Sequence, residues 1–149
     1  MGKTETGAHT RFYIRYHFVW IVKYRKDLLF RPELAETVKK ALQEIAERYE
    51  FWLDTVGTDG NHIHVFVGAY PRYAPCRVAE ILKSLSAKQV FMHHPEVKKE
   101  LWGGEFWGDG YYVGTVGCDV TESVVKRYIE NQGKLTKHKK LESVQISLL

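Results

Sequence analysis

The amino-acid sequence predicts an α+β fold, because strand-like and helix-like hydrophobic periods alternate along it. Apolar side chains recur at every second residue over 11–24 and at helical spacing over 32–50. Along its whole length, the sequence predicts secondary-structure elements in the order β-α-β-β-α-β-α. Strands and helices interleaved in this way form the ferredoxin-like (RRM-like) pattern, an antiparallel sheet with helices packed on one face. The final helix is an addition to that core.

The first half of the chain carries the clearest periodic signals. Phe12, Ile14, Tyr16 and Phe18 fall on one parity, as in a strand, and Pro32 stands at the first turn of a helix. The predicted elements here are a strand over 11–24, a helix over 32–50, a strand over 51–56, a turn over 58–61 and a strand over 62–68.

The second half is predicted to hold two long helices, one strand and a loop rich in glycine and tryptophan. The loop over 102–108 is either a stacking platform or a wedge in the core. Asp119 can cap the last helix, with Glu122 completing a capping box. The predicted elements are a helix over 78–92, a further helical turn over 95–101, a strand over 111–116 and a helix over 119–132.

Length and composition bound the class of protein. The 149 residues suffice for a single domain, 1–149, with a loose leader over 1–10 and a basic tail over 134–149. The longest apolar run is too short to span a bilayer, and the leader lacks the apolar core of a secretory signal. Cys76 and Cys118 cannot make a disulfide framework, so we expect buried thiols in a cytoplasmic protein.

The charge and the aromatic content lean toward a nucleic-acid partner. The formal net charge is +4, and 13% of the residues are aromatic. Single strands bind by stacking bases on rings while cations follow the phosphates. An aromatic-rich core under a mildly basic, solvated surface explains the same composition, and the basic tail fits either a DNA contact or disorder.

Two histidines separated by one residue open the third predicted strand. In His62-Ile63-His64 the strand period of two places both imidazoles on one face, while Ile63 points to the other. Two imidazoles so placed can share one divalent cation. A pair of histidines on a half-exposed sheet face has the same pattern, so both interpretations stay open.

The last predicted helix carries a phenol and an amide on the stripe that should face the protein. Tyr128 and Gln132 are four residues apart and therefore share a helix face. A buried amide needs several hydrogen-bond partners. The pair is either part of a site or a docked tyrosine beside a glutamine at a fraying helix end.

Together these residues resemble a known family, the transposases of the IS200/IS605 insertion-sequence type. This is the single-tyrosine (Y1) branch of the HUH endonucleases, named for a His, bulky hydrophobe, His motif. The resemblance runs from about Tyr16 to Gly133. Its blocks, in order, are Tyr16-His17-Phe18-Val19-Trp20 with Lys23-Tyr24-Arg25, Asn61-His62-Ile63-His64-Val65, Leu101-Trp102 with Phe106-Trp107 and Gly110-Tyr111-Tyr112-Val113, and Tyr128-Ile129-Glu130-Asn131-Gln132.

The resemblance implies a site and a reaction. His62, His64 and Gln132 would ligate Mg²⁺ or Mn²⁺, and Tyr128 would be the nucleophile, carried on the C-terminal helix of a ferredoxin-like fold. Attack on DNA would give a 5′-phosphotyrosine and a free 3′-OH. Because the covalent bond keeps the energy of the phosphodiester, a second 3′-OH can reverse the step at a new junction without a nucleotide cofactor.

The resemblance also implies partners. The family acts as homodimers on single-stranded DNA with hairpins at the element's ends, and the tyrosine helix of one subunit completes the HUH site of the other. We expect no membrane partner, because the longest apolar run is too short to span a bilayer. Lys23, Arg25, Lys83 and Lys88 are candidates for phosphate contacts.

Two other functions fit the sequence. A domesticated relative that processes palindromic repeats would use the same site. A non-catalytic, ferredoxin-like module that binds single-stranded nucleic acid would have no use for His62, His64 and Tyr128 together. Alanine variants of such a module at these positions should bind DNA normally.

Overall fold

The computed structural model describes residues 4–7, 9–117, 127, 129 and 130. Two short 3-10 helices, Lys23–Arg25 and Leu28–Phe30, precede the first α-helix. The other elements, in chain order, are β1 (Glu5–Thr6), β2 (Arg11–Phe12), β3 (Tyr16–Ile21), α1 (Pro32–Tyr49), β4 (Trp52–Asp59), β5 (His62–Gly68), α2 (Pro75–His93), α3 (Pro95–Glu100) and β6 (Tyr112–Thr115).

The larger sheet has four strands in the order β4-β5-β3-β6. Each neighbouring pair of strands is antiparallel. The prediction of an α+β fold built on an antiparallel sheet is therefore confirmed. β1 and β2 form a separate two-stranded sheet.

Both long helices cover one face of the large sheet. On β3 this face carries Phe18 and Trp20, which lie opposite Val65 and Ile63 of β5. These side chains are buried in one core with apolar residues of α1 and α2. The alternation of side chains along a strand explains why only one parity of β3 and β5 enters this core.

The predicted first strand is wrong in its extent, since 11–24 is divided between β2 and β3. Arg15 interrupts it, because its buried guanidinium pairs with Glu5 of β1 and Asp54 of β4, at 3.0 Å and 3.2 Å. Glu5 thus lies in a paired strand, although the sequence predicts a loose leader over 1–10. β3 ends at Ile21, and a regular strand cannot continue to residue 24 because Tyr24 and Arg25 have φ values of 61° and 52°, outside the β region.

Several other predicted elements agree with the structure, with small shifts. α1 starts at Pro32, and Glu50 terminates it in the left-handed region with φ of 60°. β5 has the predicted bounds, 62–68. β4 extends past 51–56 to Asp59, which leaves a two-residue turn of Gly60 and Asn61 before β5.

One side chain of α2 differs from its predicted environment. Cys76 is exposed rather than buried, because it lies in the first turn of the helix and faces away from the core. Met92 lies near the end of the helix, away from the core stripe, and is 60% exposed. Cys118 and the tail over 134–149 lie outside the described residues.

The loop over 102–108 is divided between core and surface. Phe106 and Trp107 are buried. Trp107 packs edge-on against Trp20, with ring centroids 5.8 Å apart, and its indole N–H donates a hydrogen bond to the Ser86 hydroxyl over 2.9 Å. The core-wedge interpretation is therefore right for Phe106 and Trp107, whereas Trp102 stays outside and is 73% exposed.

Among the described residues, no helix is both long and apolar enough to cross a membrane.

Replacing Ser86 with alanine should lower the free energy of unfolding by about 1–3 kcal/mol, because the buried Trp107 N–H loses its acceptor. Urea unfolding followed by circular dichroism measures the change. Ser84→Ala is the matched control, since Ser84 lies on the same helix but is exposed and donates to the Glu80 carbonyl. We expect the control to cost less than about 0.5 kcal/mol. Equal costs for the two variants would contradict this role of Ser86.

Candidate active site

His62 and His64 lie on the sheet face opposite the two long helices. In the antiparallel pairing of β3 with β5, Ile21 is opposite His62 and Val19 is opposite His64. Residues directly opposite each other share a face. The two imidazoles therefore lie on the same face of the sheet, as the sequence predicts. It is the face that the two long helices do not cover.

Both imidazoles are buried, so the half-exposed alternative does not hold. His62 is 4% exposed and His64 is 0% exposed. Their ring centroids are 5.2 Å apart, and the planes are inclined at 69°. Burying an imidazole is costlier than burying an aliphatic side chain unless its nitrogens are hydrogen-bonded, so the partners of these rings are informative.

The Nδ1 atom of His62 contacts the side chain of Asn61, the residue before it. The distance from His62 Nδ1 to Asn61 Oδ1 is 2.9 Å. An amide oxygen only accepts, so Nδ1 donates and the ring lone pair lies on Nε2. Asn61 is itself held in the turn, because its carbonyl accepts the Val22 N–H over 2.8 Å.

His17 is a third imidazole of the site, and its role is not predicted by the sequence. Its Nε2 lies 2.8 Å from Nδ1 of His64. The two rings are stacked, with centroids 5.1 Å apart and planes 19° from parallel. His17 is buried on β3, where it is opposite Phe66, two residues from His64. The sequence contained one indication that His17 belongs to the site. It is the polar residue on the face of β3 opposite to the face that carries Phe18 and Trp20.

Burial keeps these three imidazoles neutral. It lowers the pKa of His17 to about 4. It lowers the pKa of His62, an effect that the charge of Asp59 partly opposes. It also lowers the pKa of His64 well below the usual value, and the neighbouring His17 and His62 add to that effect. Neutral imidazole is the form that ligates a metal.

Tyr128 and Gln132 lie outside the described residues. Their neighbours Arg127, Ile129 and Glu130 have helical backbone, as the prediction of a helix over 119–132 requires. Ile129 is fully buried in a cluster with Phe66 and Val116. Phe66 follows His64 by two residues on β5, so this cluster lies on the histidine face.

The four candidate phosphate-binding cations lie in different environments. Arg25 and Lys88 are exposed, and Lys23 is half-buried. The Lys83 ammonium donates hydrogen bonds to the carbonyls of Gly108 and Gly110, both over 2.8 Å. Burial lowers its pKa. Lys83 thus holds the loop before β6 against α2.

The donor set fits a divalent cation without completing its shell. Two neutral imidazoles oriented through their Nδ1 atoms match the pattern in which an outer partner fixes a histidine ligand. Within 4–7, 9–117, 127, 129 and 130, no three His, Cys, Asp or Glu side chains are grouped to hold a metal ion. Gln132, the third ligand that the resemblance implies, lies outside these residues.

Comparison with known proteins identifies the family. The sequence profile of the family described as "Transposase IS200 like" matches residues 10–132. The chain belongs to the IS200-like transposase family. The resemblance noted in the sequence is thereby confirmed, and membership implies a DNA-processing enzyme.

Individual relatives cover nearly the whole chain. The ISDra2 transposase TnpA of Deinococcus radiodurans is 33% identical over 128 residues, which are 86% of this chain and 90% of the relative. The transposase for insertion sequence element IS200 of Salmonella typhimurium is 29% identical over 132 residues, which are 89% of this chain and 85% of the relative.

Solved structures share the fold. A crystal structure of a candidate transposase from Deinococcus radiodurans has a TM-score of 0.68 and 31% identity, and the match covers 86% of this chain and 98% of that one. A REP-associated tyrosine transposase bound to a REP hairpin has a TM-score of 0.56 and 16% identity, with coverage of 85% and 72%. The second likeness shows a common fold alone.

Proposed function

We propose that this transposase cuts and rejoins single-stranded DNA at insertion-sequence ends through a covalent 5′-phosphotyrosine intermediate. The observation that carries the proposal is the buried pair His62 and His64 on the sheet face away from the helices, in a chain of the IS200-like family. Burying two imidazoles there costs free energy that packing alone does not require. A ligand function accounts for that cost.

The residues that would hold a divalent cation, Mg²⁺ or Mn²⁺, are His62, His64 and Gln132. A cation bound there would supply Lewis-acid polarisation of the scissile phosphate. Nitrogen donors with one amide oxygen suit such an ion when oxygens of DNA and water complete its shell. The contribution of the described residues is orientation, since Asn61 holds the ring of His62 and His17 holds the ring of His64.

Tyr128 would be the nucleophile. Its phenol oxygen would attack the scissile phosphorus in line, forming the phosphotyrosine bond and breaking the bond to the 3′-oxygen, which takes up a proton. A phenol with a pKa of about 10 must first give its proton to a base or be stabilised by a cation. The burial of Ile129 against Phe66 supports a position of this helix over the histidine face.

The strand order supports the ferredoxin-like arrangement with the nucleophile helix added to it. β5 lies between β3 and β4 and is antiparallel to both, so the connection through α1 joins two parallel strands that flank a third. We include in the proposal a homodimer and a partner, single-stranded DNA with hairpins at the element's ends. A protein of the same fold, the REP-associated tyrosine transposase, is bound to a hairpin in its solved structure.

Tyr128→Phe should abolish a covalent protein–DNA adduct, because the variant lacks the attacking oxygen. Labelled single strands from both flanks of the gene are incubated with the protein and Mg²⁺ or EDTA, then separated on a denaturing gel. We expect a metal-dependent shifted band for the wild type and none for Tyr128→Phe or His64→Ala. Exposed His93 offers the control, and His93→Ala should keep the band. A folded wild type that binds these strands tightly without any band would instead be a non-catalytic binding module.

Mixing two inactive variants should restore the adduct if the tyrosine of one subunit serves the site of the other. Consider a dimer of one Tyr128→Phe subunit and one His64→Ala subunit. If each tyrosine enters the partner's site, the first subunit supplies an intact histidine pair and the second supplies an intact tyrosine to the same site. We expect the band to return when the two variants are mixed and refolded together. Its absence from verified mixed dimers would place the tyrosine in its own subunit's site.

His17→Phe should weaken Mn²⁺ binding by about 10- to 100-fold, because it removes the partner that orients His64. Titration calorimetry of the DNA-free protein measures the affinity. His17→Gln places an amide where Nε2 lies and should restore most of it. His93→Phe, a substitution at an exposed histidine, should change nothing. Equal losses in His17→Phe and His17→Gln, with both variants folded, would show that the imidazole does not act by orienting His64.

A further inference from the structure

Three exposed aromatic side chains lie at one end of the sheet. Among the large apolar residues that the structure describes, Tyr24, Phe30, Met92 and Trp102 are exposed, by 55%, 67%, 60% and 73%. Only Met92 is not aromatic, and it lies on α2. Exposure of this size is unusual for tryptophan, whose burial normally contributes to the core.

Tyr24 and Trp102 form a pair with defined geometry, although they come from distant parts of the chain. Their rings meet edge to face, with centroids 5.0 Å apart. Lys26 links the two segments, because its ammonium donates to the Glu100 carbonyl over 2.8 Å and lies 4.5 Å from the Trp102 ring centroid. The two terminal nitrogens of the Arg31 guanidinium each donate a hydrogen bond to one Glu100 carboxylate oxygen, over 2.7 Å and 2.6 Å. The exposed pair is therefore held in place.

The backbone beneath this pair is strained. Tyr24, Arg25 and Trp102 have φ values of 61°, 52° and 52°, a region that residues with a Cβ rarely adopt. The strain does not serve burial, because all three side chains are exposed. Backbone strain of this kind concentrates at binding and catalytic sites, where it presents a side chain in a required direction.

Cations surround the pair. Lys23, Arg25 and Lys26 accompany Tyr24, and the Lys23 ammonium lies 5.7 Å from its ring centroid. Asp27 is the acidic residue of this segment, while the Glu100 carboxylate is bound by Arg31. Aromatic rings among cations suit single-stranded nucleic acid, whose bases stack while its phosphates pair with cations. Protein interfaces are depleted in lysine, which makes a protein partner a poorer fit.

The pair also borders the histidine site. Tyr24 follows Ile21 by three residues, and Ile21 is the strand partner of His62. Because three trans peptide units span at most about 11 Å, the Cα of Tyr24 lies within about 11 Å of the Cα of Ile21. The Val22 N–H further bonds to the Asn61 carbonyl over 2.8 Å, which joins this segment to the turn that orients His62.

We propose that Tyr24 and Trp102 form a stacking site for an unpaired base of the DNA strand, close to the phosphate that is cut, while Lys23 and Arg25 contact the adjoining phosphates. This inference rests on the proposed function for the identity of the strand. It assigns the base-binding role to two aromatic residues whose positions the tertiary structure brings together.

The test measures DNA binding in EDTA, where no cleavage occurs. The probe is a labelled oligothymidylate longer than the ~4–16 nucleotides that a single-strand binding fold covers. We expect Trp102→Ala to weaken binding roughly five- to 100-fold, as the loss of one stacked base implies. Trp102→Phe should keep most of the affinity, and Met92→Ala, a truncation of another exposed apolar residue, on α2, should keep all of it.

Salt dependence separates stacking from charge. Arg25→Gln should reduce the slope of log affinity against log salt by about 0.7, because one phosphate contact is lost. Trp102→Ala should leave that slope unchanged. A reduced slope for Trp102→Ala would mean that the substitution disturbs the cations, and it would overturn the stacking role.

Other outcomes are equally decisive. Wild-type affinity of Trp102→Ala for the oligothymidylate overturns the proposal, whatever the adduct assay shows. An equal loss for a blunt duplex also overturns it, since stacking requires an unpaired base. A changed oligomeric state of Trp102→Ala in sedimentation would assign the pair to contact between copies of the chain instead. If Trp102→Ala binds weakly as expected while the wild type forms no adduct, the stacking site stands and the proposed transposition chemistry fails.

Discussion

The antiparallel pairing of β3 with β5 is the constraint on which the site depends. Its register sets Trp20 opposite Ile63 and Val19 opposite His64. A slip of one residue would turn the imidazoles into the helix-covered core and the apolar side chains away from it. Trp20 and Phe18 are fully buried, and each such side chain contributes about 1.5–3 kcal/mol. The hydrophobic core therefore enforces the register that the imidazoles need.

The same pairing prepares the imidazoles to act as ligands. His17 and His64 come from neighbouring strands and share a hydrogen bond of 2.8 Å, and Asn61 holds His62 from the preceding turn. Burial keeps all three rings neutral by lowering their pKa values. Rings that are already deprotonated and oriented lose little entropy and no proton when a metal binds. The cost of burying them is met by the core on the other face of the sheet.

One loop serves both the core and the surface. Trp107 is anchored by Trp20 and by the Ser86 hydroxyl, and the Lys83 ammonium holds the carbonyls that follow it. With its buried end fixed in this way, the loop can present Trp102 at the surface beside Tyr24 without loss of order. The aromatic content that the sequence shows is thus divided between packing and exposed rings, a division that composition alone could not reveal.

The sequence by itself determined the class of fold, the bounds of α1 and β5, and the shared face of His62 and His64, because each depends on the local period of a helix or strand. The family motifs added the expectation that Tyr128 is the nucleophile. Tyr128 lies outside the described residues, so this role stays a prediction. Only the tertiary structure decided that His17 contacts His64, since these residues are 47 apart and meet through the strand register. It also decided that Arg15 interrupts the first strand, because its carboxylate partners come from β1 and β4. Periodicity tells which way a side chain points, whereas the identity of its neighbour depends on how distant strands pair.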